Sequence, residues 1–118
     1  TNIIKYDIAV KIKNKNGNIL FLPLFDSNNK VLLHKSMLIT LIAKKKLANT
    51  YETESWVKKI IETNNPSSAL EILKKHMIKF IIIYTDLEPS NVNEKALINS
   101  IKEKTVQLDK KIILYEID

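Results

Sequence analysis

Residues 76–84 read His76-Met77-Ile78-Lys79-Phe80-Ile81-Ile82-Ile83-Tyr84 and run straight into Thr85-Asp86-Leu87-Glu88-Pro89. An apolar run of this length, closed by a polar turn, is the pattern of a strand covered on both faces. A helical stretch ending in Lys74-Lys75 precedes it and another helical stretch follows, and the chain then finishes Lys111-Ile112-Ile113-Leu114-Tyr115-Glu116-Ile117-Asp118. Helix, covered strand, helix, strand predicts an α/β fold: a small, mixed, mostly parallel sheet with helices on its faces.

The other elements are consistent with that class. Residues 18–25 (Asn-Ile-Leu-Phe-Leu-Pro-Leu-Phe) predict a second buried strand, with Pro23 near its end because proline donates nothing to a central ladder. Asp26 to Lys30 has turn chemistry, 31–43 a helical pattern, and 46–51 suits a short extended segment. Glu54 to Glu62 predicts a helix with Trp56, Ile60 and Ile61 inward. Asn65-Pro66 supplies an N-cap and a proline at N1 for a helix reaching Lys75, with Ala69, Leu70, Ile72, Leu73 and Met77 on one side. Asn91 with Glu94 three residues on resembles a capping box, opening a helix that packs Val92, Ala96, Leu97 and Ile101. Residues 105–108 and 111–117 predict the arms of a C-terminal hairpin around Asp109-Lys110.

Residues 3–13 read two ways. Ile4, Tyr6, Ile8, Val10 and Ile12 alternate as in a half-buried strand, yet Ile4, Ile8 and Ile12 also sit at helical spacing. Asn16-Gly17 serves either reading, as a hairpin turn or with Gly17 as a helix C′ residue. On pattern alone the strand has the edge.

Composition excludes more than it assigns. The 118 residues suit one α/β domain over 1–118, large enough for a core of its own, and 45% hydrophobic content is ordinary for a globular chain. No cysteine is present, which removes disulfides, thiolate metal sites and cysteine nucleophiles together. The single glycine leaves no phosphate-cradling loop. The formal charge is +6 and every basic residue is lysine. Phosphate and base-edge readout favour the planar arginine fork, so the charge reads first as a solvated lysine surface. No stretch reaches the roughly 18–20 apolar residues of a membrane span, and no signal peptide is visible. The opening at Thr1 without methionine suggests a processed or excised piece of a longer protein.

Ligands of open α/β sheets bind beyond the carboxyl ends of the strands. Asp26 follows one predicted strand, and Asp86 and Glu88 follow the other. If those strands are parallel neighbours, the three carboxylates converge as hard oxygen ligands for Mg²⁺. Thr85-Asp86 is weakly similar to the acidic motif of Toprim nucleotidyl-transfer domains, although Glu88-Pro89 interrupts its second half and no strand-end glutamate completes it. Aspartate after a strand is also ordinary turn chemistry. His34 and His76 lack metal spacing, the serines lack a nucleophile-elbow context, and Trp56 with Tyr51 suits core packing as well as an aromatic contact surface. No catalytic residue and no cofactor is assigned.

One resemblance covers roughly residues 17–117. The words, each common in α/β chains, are Gly17, then Ile19-Leu20-Phe21-Leu22-Pro23-Leu24, then Lys45-Lys46-Leu47-Ala48-Asn49-Thr50-Tyr51, then Leu73 and Ile78-Lys79-Phe80-Ile81-Ile82-Ile83-Tyr84, then Ile113-Leu114-Tyr115-Glu116-Ile117. That order resembles the C-terminal soluble tail of polytopic, lipid-phosphosugar-dependent glycosyltransferases of the protein-mannosyltransferase type. Thr50 stands where the family's Asn-Gly-Tyr word has glycine. The resemblance implies a non-catalytic accessory domain on the extracytoplasmic face of a membrane, partnered by the membrane-spanning part of its own polypeptide. The catalytic acid of that family lies in a loop between early spans, so no catalytic residue carries over. The resemblance also favours a helix for residues 5–14. Two alternatives are a free-standing, cytoplasmic α/β protein that binds nucleic acid or another polyanion, and a Mg²⁺-dependent phosphotransfer or nuclease domain using Asp26, Asp86 and Glu88.

Overall fold

A computed structural model describes residues 2–24, 55–105 and 111–118. The elements run α1 (Asn2–Lys13), β1 (Asn18–Leu22), α2 (Ser55–Glu62), α3 (Pro66–Lys75), β2 (Ile78–Tyr84), α4 (Val92–Lys102) and β3 (Ile112–Glu116). The three strands form one sheet in the order β1-β2-β3. β1 pairs with β2 in parallel and β2 pairs with β3 antiparallel. Among the described residues the sheet is therefore mixed rather than mostly parallel. The first arm of the expected hairpin, 105–108, lies outside the described residues apart from Thr105, which follows α4 in a bend.

The run 78–84 is the central strand, and its burial follows from its position. Phe80, Ile81, Ile82 and Ile83 are all fully buried, because helices cover both faces of the sheet. Leu20, Leu22, Ile81, Ile83 and Ile113 face α2, α3 and α4, meeting Ile60, Leu73, Leu97 and Ile101. Ile19, Phe21, Phe80, Ile82 and Ile112 face α1, meeting Ile8, Ala9 and Ile12. Phe21 stacks on Tyr84 across the parallel pair, ring centroids 5.9 Å apart. Each such side chain contributes about 1.5–3 kcal/mol by leaving water, which is why period-2 alternation disappears from β2.

Residues 3–13 are helical, which corrects the reading that alternation favoured. Ile8, Ala9 and Ile12 form the buried stripe, whereas Val10 is 48% exposed. A strand would have put Val10 on the same face as Ile8 and Ile12, so the stripe at spacing four decides the element. Asn16-Gly17 consequently makes no hairpin; it joins α1 to a parallel strand. Two other expected core positions are also corrected. Val92 is 81% exposed at the first turn of α4, and Met77 is 68% exposed at φ 66, beyond the end of α3. β1 ends at Leu22, one residue before Pro23.

The terminal turns tie the layers together. The Asn65 side chain accepts from Ser67 N at 3.0 Å and Pro66 occupies N1, so α3 starts where local chemistry places it. Lys15 Nζ donates to Glu116 Oε1 at 2.6 Å, joining the exit of α1 to the end of β3, and Lys79 Nζ lies 3.8 Å from Glu116 Oε2. The Lys15 hydrogen bond, with the nearby charges of Lys15 and Lys79, holds the Glu116 carboxyl below its usual range despite some desolvation. A depressed folded-state pKa stabilises above the unfolded carboxylate range and loses that contribution as pH falls through the folded value. The pair is exposed, so the contribution is at most about 1 kcal/mol. Lys15→Met is therefore expected to lower urea stability slightly at neutral pH. The difference should shrink as pH falls through the lowered folded-state value of Glu116 and vanish below it, and a difference that persisted in strong acid would show another origin.

Candidate functional site

The parallel neighbours β1 and β2 point their carboxyl ends to one edge, where α/β sheets hold ligands. The chain leaves β1 through Pro23 and Leu24, and leaves β2 through the turn 85–90, which opens α4. Thr85 N donates to Lys111 O at 2.9 Å and brings the start of β3 to the same edge.

At the centre of this edge sits Glu94, the only buried charged residue among those described. Its Oε2 accepts from Leu24 N at 2.8 Å, and its Oε1 accepts from Ser90 N at 2.6 Å. Its own N–H donates to Asn91 Oδ1 at 2.8 Å. Half of the expected capping box is therefore present, but the reciprocal bond is displaced. The carboxylate reaches the residue before the cap, and a backbone amide 70 residues away. Two N–H donors and a position in the first turn of α4 compensate the buried negative charge. Both oxygens are engaged by backbone, so the group acts as a latch between the two strand-end loops rather than as a free base.

Neighbouring polar side chains also serve the backbone. Asn91 Nδ2 donates to Ile61 O at 2.9 Å, and Asn93 Nδ2 donates to Ile61 O and Glu62 O, each at 3.2 Å. These two amides close the C-terminus of α2, whose last carbonyls have no partner within the helix.

The carboxylates expected to hold Mg²⁺ fare differently. Asp86 and Glu88 lie in the turn after β2 and are both exposed, while Asp26 lies outside the described residues. The described residues include no group of three or more His, Cys, Asp or Glu side chains placed to hold a metal ion. His34 and Tyr51 also lie outside the described residues. His76 caps α3, and its ring stacks on Trp56 at 4.2 Å and 7°, joining the end of α3 to the start of α2.

Sequence reasoning did not find the cleft at the opposite edge. About 240 Å³ in volume, it lies between α3, the residue pair Lys104 and Tyr115, and the end of the chain at Ile117 and Asp118. Its charges are of both signs, with Lys74 3.6 Å from Glu71 along α3.

Fold and site together define a small mixed α/β domain whose strand-end loops are joined by a buried carboxylate. No described helix is long and apolar enough to cross a membrane. No protein-family model, curated protein or solved structure matches the chain.

Proposed function

We propose that this chain is a non-catalytic accessory domain of a membrane glycosyltransferase of the protein-mannosyltransferase type, packing on the extracytoplasmic side against the spans of its own polypeptide. The observation that carries the reading is α1. Alternation alone favours a strand for residues 3–13, whereas the family pattern favours a helix for 5–14, and Asn2–Lys13 is helical. The order that follows also supports it: a buried strand ending at Leu22-Pro23, a helix leading into the 78–84 strand, and a closing strand over Ile113-Leu114-Tyr115-Glu116.

The test is the size and fractionation of the native gene product, detected with an antibody raised against this chain. A large band in the membrane fraction is the expected result. A soluble band near 13.6 kDa would overturn the reading.

A further inference from the structure

Three helices of this fold end toward one edge of the sheet, α1 on one face and α3 and α4 on the other. α1 and α3 each lead into a parallel strand, so both end at the amino edge of β1 and β2. α4 returns from the carboxyl edge, and just beyond its end Lys104 lines the same cleft as Lys74. α1 carries Lys11 and Lys13 in its last turn and α3 carries Lys74 and Lys75, while α4 ends at Lys102 with Lys104 two residues beyond, all of them exposed. Two positive charges more than offset the half-unit negative pole of a helix C-terminus. A pattern that is ordinary in each helix thus gives this edge a positive excess, in which the lysines outnumber the acids Glu71, Glu103, Glu116 and Asp118 that stand among them. Among the described residues the opposite edge carries Asp86, Glu88 and Glu94 beside Lys95 and Lys111, and shows no such excess.

An apolar projection stands among these lysines. Met77, in the turn between Lys75 and Lys79, is held out at φ 66 with 68% of its surface exposed. Its chain neighbour His76 stacks on the half-buried Trp56. A protruding thioether flanked by lysines is the composition of a surface that rests on charged headgroups and inserts shallowly.

We propose that this amino edge docks on an anionic lipid bilayer, with the helix-end lysines over the headgroups and Met77 in the interface. Lysine point charges suit a diffuse field of headgroups. The chain contains no arginine fork for bidentate phosphate or base readout, and an exposed methionine gains nothing from a phosphate backbone. The inference is independent of the glycosyltransferase reading, because binding to vesicles is a property of this chain whatever polypeptide contains it.

The test is co-sedimentation of the 118-residue chain with vesicles of phosphatidylcholine alone and of phosphatidylcholine mixed with phosphatidylglycerol. Binding to the mixed vesicles only, weakening with salt, is the expected result. Lys74→Glu with Lys75→Glu should weaken it by at least about 30-fold. Lys95→Glu with Lys111→Glu, the same change of charge at the other edge, should weaken it far less. Met77→Ser removes the inserted group without touching charge and should weaken binding several-fold, which keeps the test informative if the charge reversal disturbs folding. Failure to bind mixed vesicles, or equal loss from both double variants, would overturn the proposal. Retention on a single-stranded oligonucleotide at salt that releases the vesicles would overturn it in favour of nucleic acid.

Discussion

Glu94→Gln is expected to destabilise the fold by about 1–3 kcal/mol although it preserves shape. The carboxylate takes one backbone N–H on each oxygen, from Leu24 and from Ser90. An amide can accept on one side only, and its NH₂ group then faces a donor on the other. Whichever way the side chain turns, one N–H loses its acceptor and meets a second donor. Glu94→Ala removes both acceptors and leaves a void, so about 2–4 kcal/mol is expected. Chemical unfolding of the three proteins measures these differences, and hydrogen exchange at Leu24 and Ser90 assigns them. If Glu94→Gln matched wild type in stability while both amides stayed protected, the latch would be excluded.

Gly17→Ala is expected to cost about 2–5 kcal/mol, the sum of left-handed strain and overpacking. Gly17 has φ +118, and a methyl group there would lie 2.2 Å from the Cβ of Lys79. That contact cannot be relieved by rotating the lysine, because its Cβ is fixed to the backbone of the central strand. The pairing explains the closeness: the register shifts between Asn18 and Ile19, so Lys79 falls beside the turn that enters β1. Lys79→Gly in the Gly17→Ala background should recover the steric part and leave the conformational part. Thermal unfolding of the single and double variants separates the two, and a Gly17→Ala protein as stable as wild type would show that the turn relaxes freely.

These two residues show where sequence reading stops. Gly17 stood out as the only glycine, and both roles considered for it, hairpin turn and helix C′ position, were local. What fixes it is Lys79, 62 positions away. Glu94 was legible as the N3 residue of a capping box, and the Asn91 half of that box is present. Its carboxylate instead serves Ser90 and Leu24, a partner that helix-capping rules do not contain. The candidate metal site met a similar limit: strand-end position was legible for Asp86 and Glu88, but whether their side chains converge with others is a matter of tertiary placement, and both are exposed.

The sequence by itself determined the two long-buried strands, α3 and α4 with their caps, and the α/β class. Continuous apolar runs demand cover on both faces, and Asn-Pro and Asn-x-x-Glu satisfy orphan helix amides using neighbours only. Only the tertiary structure decided that residues 3–13 are a helix, because their periodicity fitted both elements until the sheet face offered a stripe of Phe21, Phe80 and Ile82 for Ile8 and Ile12 to cover. It also decided the antiparallel entry of β3 beside β2 and the gathering of three lysine-tipped helix ends at one edge. Each of these depends on which elements meet, and that is set by burying the most apolar surface over the whole chain rather than by the residues of any one segment.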